Sequence, residues 1–174
     1  VQAMQRGERR VVPWMRTLSG HHPCGSNEIE HDGGCVSRLT LSWGTDDSRV
    51  FEVQEYVEVN GQLFYVLVDV DDLGNAAQAR AAVVDFASTF EKEHSILGLD
   101  GHIGTLDHNA DGAITIAFSN YTGAGVSSGV AGFFDYRDML PPSDPEATGN
   151  DMDILWARTP GASNPQVQTV ATLA

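Results

Sequence analysis

The sequence is poor in basic residues and in long apolar runs, and each shortage excludes a class of protein. Of its 174 residues only 10 are Lys or Arg, against 24 Asp or Glu, so the formal charge is −14. Nucleic acid and anionic bilayers would repel this chain, and we expect neither as a partner. No segment approaches the roughly 18 consecutive apolar residues of a membrane span. The 41% share of hydrophobic residues in turn excludes wholesale disorder.

Cysteine is scarce too, and its placement is informative. The two cysteines, Cys24 and Cys35, lie in one glycine-rich stretch. Their even number and close spacing predict a local disulfide in a secreted or extracytoplasmic protein, with a contribution of roughly 3 kcal/mol. Two alternatives are a pair of free thiols and a zinc site completed by His31 and one of His21 or His22. The lack of a Cys-x-x-Cys unit disfavours zinc.

The order of apolar patterns predicts an α+β (or α/β) fold around a mixed, twisted β-sheet. Apolar side chains on both faces of 62–70 indicate a central strand, and Asn60-Gly61 before it predicts a hairpin. Asn75 is the expected N-cap of a long helix that runs to about Glu93. The predicted strands are 36–43, 49–59, 62–70, 113–118, 130–134 and 152–157.

The last residues predict the start of a second helix. Asn164 suits the N-cap position and Pro165 the first helical turn. An apolar stripe at helical spacing follows. Its members are Val167, Val170, Ala171 and Ala174. The printed sequence stops at Ala174 without a capping residue, so we expect the natural protein to continue.

Charge and composition also predict two regions. Residues 1–48 form an N-terminal arm and the cysteine-stapled loop, and residues 49–174 form the α/β lobe. The first 20 residues hold four arginines against one glutamate, whereas the remainder is strongly acidic. We expect this basic leader to be a loosely ordered arm, with docking on the acidic body or on a partner as the alternative.

One loop predicts a calcium site. In Asp107-His108-Asn109-Ala110-Asp111-Gly112-Ala113, three oxygen-bearing side chains alternate ahead of a glycine, and the Ala113 carbonyl follows as a further ligand. An EF-hand would need a glutamate where Phe118 stands, so a calcium loop of another kind is expected. The alternative is an Asx-rich turn closed by its own hydrogen bonds.

Two further groups of carboxylates invite a functional interpretation. Asp69, Asp71 and Asp72 end the predicted central strand, where a second cation site or a catalytic acid cluster is one hypothesis. A solvated turn is the favoured interpretation. Asp151 and Asp153 are likewise expected to face water. The sequence has no P-loop, G-x-G-x-x-G or H-E-x-x-H motif.

Seven segments resemble, in the same order, the region that precedes the zinc-binding helix of hyicolysin-type neutral zinc metallopeptidases. They cover about residues 49–174. The segments are 49–53 (RVFEV), 64–69 (FYVLVD), 86–90 (FASTF), 107–116 (DHNADGAITI), 129–138 (GVAGFFDYRD), 149–156 (GNDMDILW) and 170–174 (VATLA).

The resemblance implies the N-terminal, upper lobe of a zincin, that is, part of an exported zinc-dependent endopeptidase. The H-E-x-x-H zinc site is expected just after Ala174, so no catalytic residue falls within this chain. The remainder of the precursor, or a complementary fragment, would be a partner and would carry the zinc. A peptide or protein substrate would lie against an edge strand, for which 113–118 and 152–157 are the candidates.

Two rival hypotheses remain at this point. One is a calcium-binding extracellular adhesion or binding module without catalytic activity. The other is a pro-segment or an inactive relative of the peptidases. The residues that follow Ala174 in the gene would separate the peptidase from both, since H-E-x-x-H there would establish a zinc site.

Overall fold

The computed structural model describes residues 24–43, 47–59, 62–97, 112–120 and 132–160. These residues form nine β-strands, one α-helix and two short 3-10 helices. The strands are β1 (Ile29–His31), β2 (Gly34–Val36), β3 (Arg38–Trp43), β4 (Asp47–Val53), β5 (Val57–Val59), β6 (Gln62–Asp69), β7 (Ala113–Phe118), β8 (Gly132–Phe134) and β9 (Ile154–Ala157). The helix α1 spans Ala76–Leu97, and the 3-10 helices span Val70–Asn75 and Tyr136–Met139.

Seven of these strands form one mixed sheet, which confirms the α+β expectation. The strand order is β3-β4-β6-β7-β9-β8, and β5 also pairs with β6. Strands β6, β7 and β9 are mutually parallel, whereas every other pairing is antiparallel. The parallel step from β6 to β7 includes α1, because parallel neighbours need a long crossover connection.

Helix α1 covers one face of the sheet. Ala79, Ala82, Val83 and Phe86 keep helical spacing and are buried against the strands. The ring of Phe86 meets that of Phe64 from β6 edge to face, with centroids 5.9 Å apart. From β6 and β7 this core receives Phe64, Val66, Val68, Ile114, Ile116 and Phe118.

The opposite face is covered by irregular chain and by the separate β1–β2 hairpin. Ile29 of β1 is fully buried there with Phe51, Tyr65 and Trp156. The cysteine-stapled loop therefore shares its core with the lobe, and β3 pairs with β4 along its whole length. The sequence boundary drawn between residues 48 and 49 falls inside β4.

Local details depart from the sequence expectations where the chain bends. The expected strand 49–59 is two strands, because residues 54–56 leave the ladder between β4 and β5. Asn75 directly precedes α1, as expected, but it also ends a 3-10 helix over Val70–Asn75 that continues into α1. Asp69 caps that 3-10 helix by accepting from the Asp71 N–H. The hairpin is confirmed by the pairing of Val59 with Gln62.

Neither candidate edge strand lies at an edge. Strand β7 (Ala113–Phe118) lies between β6 and β9, and β9 (Ile154–Ala157) lies between β7 and β8. Among the described residues β3 and β8 end the main strand order, and the short β5 is a further edge strand because it pairs only with β6. Over the same ranges, no helix combines the length and apolar character needed to cross a membrane.

Candidate functional site: two buried carboxylates and two sheet edges

The structure bears only partly on the residues that the sequence singled out. Asp107, Asn109 and Asp111 lie outside the described residues, while Ala113 is the buried first residue of β7. Gly112 before it has a φ of 77°, a backbone conformation that favours glycine. A calcium loop and an Asx turn would both need a residue with this left-handed conformation at position 112.

The two cysteines meet in the structure. The Cys24 and Cys35 sulfur atoms lie at disulfide distance, with their Cα atoms 5.5 Å apart. This pairing fits the disulfide interpretation, and a disulfide leaves no thiolate for zinc. A thiol titration under denaturing, non-reducing conditions tests it, since two free thiols per chain would contradict the prediction.

Asp69 is the centre of the first polar cluster, at the carboxyl end of β6. Its side chain is only 1% exposed and is ion-paired with Arg49 of β4, whose Nε lies 2.5 Å from Oδ2. The Ser119 hydroxyl, just beyond β7, donates to the same oxygen at 2.6 Å, and Arg49 also contacts Asp71. The expected solvated turn is therefore wrong for Asp69, although Asp71 is exposed.

The arginine decides the ionisation of Asp69. Burial alone raises the pKa of this carboxyl group, but hydrogen bonds from Arg49, Ser119 and the Asp71 N–H together outweigh burial, and the pKa lies below its ordinary value. Asp69 is therefore ionised at neutral pH. Arg49 is stabilised in return, since the same contacts raise its pKa.

Asp72 extends this cluster to the ends of two more strands. It accepts the Asn120 N–H at 2.7 Å and its side-chain amide at 3.1 Å, and the hydroxyl of the buried Thr159 at 2.9 Å. Asn120 follows β7 and Thr159 follows β9. The carboxylates thus tie together the carboxyl ends of the three parallel strands, and hydrogen bonds already occupy them.

Asp138 is the centre of the second polar cluster, which no motif in the sequence indicates. Its side chain, also 1% exposed, accepts three hydrogen bonds from neutral groups. Thr148 Oγ1 and Asn150 Nδ2 donate to Oδ1 at 2.7 and 2.8 Å, and Trp156 Nε1 donates to Oδ2 at 2.7 Å. The Asp138 carbonyl accepts the Met152 N–H, which fixes the segment before β9.

No cation of the described residues contacts Asp138, and its pKa shifts in the opposite direction to that of Asp69. Burial raises its pKa and is only partly offset by the three donors, while Asp135 nearby raises it further. The one arginine of this segment, Arg137, is engaged with Asp135 instead, through Nε at 2.8 Å.

Asn150 connects the second cluster to the β3 edge. Its side-chain oxygen accepts the Ser42 N–H at 2.7 Å, and its amide donates to the Ser42 carbonyl at 2.9 Å. These two hydrogen bonds take up the backbone N–H and carbonyl with which Ser42 would pair to a further strand. The Asn150 side chain therefore blocks, or seals, the β3 edge at Ser42. Positive φ angles on both sides, 86° at Gly149 and 49° at Asp151, form the turn that presents it.

The other edge is built differently. Strand β8 pairs with β9 through Phe133 and Trp156, whose rings stack with centroids 6.1 Å apart. No strand pairs with the outer side of β8 among the described residues. Because β8 is extended, its outward backbone groups could pair with an added strand over roughly 10 Å.

No metal centre emerges from these clusters. The described ranges hold no group of three or more His, Cys, Asp or Glu side chains arranged to bind a metal ion. Since the sequence also lacks H-E-x-x-H, the residues present do not fit a catalytic zinc. Asp153, expected to face water, is buried at 6% exposure, while Asp151 is exposed.

Comparison with known proteins gives no family for this chain. It matches no protein-family model, no curated protein and no solved structure.

Proposed function

We propose that this chain is the substrate-aligning lobe of an exported zinc-dependent endopeptidase. Its part in the reaction is to hold an extended peptide along β8. The observation that carries the proposal is the contrast between the β3 edge, which Asn150 blocks, and the β8 edge, which is unpaired among the described residues. The loop that holds Asn150 also supports β9, the partner of β8. The resemblance of seven ordered segments to hyicolysin-type peptidases supports it independently.

The chain itself contributes binding and orientation rather than bond cleavage. A peptide added to β8 would exchange backbone hydrogen bonds, which bind many sequences with little dependence on side chains. Zinc, when bound by the rest of the enzyme, would activate the attacking water. The Asp138 cluster keeps Trp156 and the Phe133 ring stacked on it in place, so that the position of β8 is fixed before a peptide binds.

The experiment compares this chain with the longer gene product. We expect the longer product to hydrolyse a fluorogenic protein substrate, to lose that activity with a zinc chelator and to regain it with added zinc. The 174-residue chain should bind peptides without cleaving them. A zinc-loaded longer product that cleaves nothing, or a gene that ends at Ala174, would contradict the proposal.

Calcium is the second proposal, and it concerns stability. We propose that Asp107, Asn109, Asp111 and the Ala113 carbonyl bind calcium, supported by the left-handed Gly112 that leads directly into β7. A cation bound only by the folded state stabilises it by about 2.7 kcal/mol at a hundredfold excess over Kd. The melting temperature should therefore fall with chelator, and Asp111→Ala should remove this response. An unchanged melting temperature would favour the Asx turn.

The rival interpretation, a calcium-binding adhesion module, predicts the same calcium response but no proteolysis by any longer gene product. The disulfide geometry suits an exported protein of either kind. Chelator-sensitive proteolysis therefore decides between the two.

A further inference from the structure

We infer that Phe134, Tyr136 and Glu146 form a subsite for one cationic side chain, arginine or lysine, of the peptide that pairs with β8. The inference rests on the proposed function and names its substrate class. These three residues are called the β8 patch below.

The first observation is an exposed pair of aromatic rings. Phe134 is 46% exposed and Tyr136 is 55% exposed. Asp135 between them is extended, with φ −114° and ψ 107°, so the two rings leave the chain on the same side. Phe133, by contrast, faces the core and stacks on Trp156. Neither ring belongs to the two hydrophobic cores, and both lie beside an edge that no other strand of the described residues pairs with.

The second observation is the charge beside those rings. The Tyr136 hydroxyl donates to Glu146 Oε2 at 3.2 Å, and Asp144 Oδ1 accepts the Glu146 N–H at 2.9 Å, which holds that residue's backbone. No Arg or Lys of the described residues is ion-paired with Glu146. The positive charge of Arg137 is balanced by Asp135. Among the described residues, the carboxylate of the β8 patch therefore has no cationic partner.

These two features together select a cation. An ammonium or guanidinium group is attracted to the face of an aromatic ring, and a carboxylate next to the ring adds an ion pair. The chain as a whole carries −14, which favours a basic segment over an acidic one. A neutral apolar side chain would gain from the rings alone, so the carboxylate distinguishes the two classes of peptide.

The test measures peptide binding by the chain as it stands. Two fluorescent, β-prone peptides are compared by anisotropy, identical except for one central residue that is arginine in one and its neutral isostere citrulline in the other. We expect the arginine peptide to bind about fivefold more tightly at low salt. Glu146→Gln and Tyr136→Ala should each remove this preference. Glu58→Gln, an exposed glutamate on β5, is the matched control and should keep it.

The possible results distinguish a failure of the cation subsite from a failure of the proposed peptide-binding function. Equal binding of both peptides would overturn the subsite but leave the peptide edge intact. Binding of neither peptide would overturn both. A preference for arginine that survives Glu146→Gln and Tyr136→Ala would place the cation elsewhere. Dimerisation in sedimentation equilibrium that either peptide reverses would assign the β8 edge to a second copy of the chain and overturn the subsite.

Discussion

Two aspartates with the same small exposed area show how this fold treats a charge removed from water. Asp69 and Asp138 are each 1% exposed and each accepts several short hydrogen bonds. An arginine contacts Asp69 and the pKa falls, whereas only neutral donors contact Asp138 and the pKa rises. Asp138 is the more deeply enclosed of the two, and its three neutral donors do not offset desolvation, whereas Arg49 together with neutral donors does so at Asp69. The Asp69 cluster connects the carboxyl ends of β6, β7 and β9, whereas the Asp138 cluster supports β9 next to the edge strand β8.

The largest effect should come from removing the counter-charge. Arg49→Met leaves Asp69 buried without its cation, and we expect a loss of about 3 kcal/mol, since breaking a buried pair from one side costs more than the pair contributes. Urea unfolding at neutral pH measures it. The control is Arg38→Met, whose pair with Glu52 is at the surface and should cost about 0.5 kcal/mol or less. Equal losses in the two variants would show that Asp69 does not depend on Arg49.

Removing the edge seal should come next. Asn150→Ala leaves the Ser42 N–H and carbonyl without their partner and takes one donor from Asp138, so we expect a loss of about 2 kcal/mol. The unsealed β3 edge should also raise self-association, visible by sedimentation. Asn120→Ala, which removes an exposed amide from Asp72, is the control and should change neither measurement appreciably. A monomeric, fully stable Asn150→Ala would argue against the seal.

A matched pair of isosteric changes compares the clusters directly. Thr148→Val removes one donor from Asp138 and should cost about 1.5 kcal/mol, because that carboxylate lacks a counter-charge. Thr159→Val removes one donor from Asp72, which keeps the two bonds from Asn120, and should cost only about 0.5 kcal/mol. Chemical denaturation at pH 7 measures both. The reverse order would mean that the deeper burial of Asp138 does not make its donors more costly to remove than those of the half-buried Asp72.

The smallest effect is a difference in how the stability cost of two Asp→Asn substitutions changes with pH. The pKa of Asp69 is lowered in the fold, so its contribution is present above 3.8 and is lost as pH falls through the folded pKa. The pKa of Asp138 is raised, so its contribution is fully present below 3.8 and is lost as pH rises through the folded pKa. The cost of Asp69→Asn should therefore shrink on acidification, while that of Asp138→Asn should grow. Parallel pH profiles would refute the contrast.

Much of the scaffold could be predicted because it depends on local patterns. The two-sided apolar alternation of 62–70 marked the central strand, and the spacing of Ala79, Val83 and Phe86 marked α1. The split at 54–56 was missed, since a continuous apolar run does not show where a ladder is interrupted. The 3-10 helix that leads into α1 was missed because its cap, Asp69, also reads as the end of the central strand.

The site was harder to predict because its contacts are far apart in sequence. Asn150 and Ser42 are 108 residues apart, and Trp156 reaches Asp138 across 18 residues. In the sequence, Asp138 is one acid among 24, with no spacing that marks it as buried. The glycine before Asn150 was the one available signal, since it permits a left-handed turn. It did not indicate what the turn would present.

The sequence by itself determined the composition class, the strand and helix periods, the proximity of two cysteines and the segments that resemble a peptidase lobe. All of these follow from residue type and from neighbours within a few positions. Tertiary structure alone decided that, among the described residues, β3 and β8 end the main strand order, that Arg49 neutralises Asp69 and that no cation contacts Asp138. Strand order and counter-charge depend on residues tens of positions apart, and those separations leave no periodic trace in the chain.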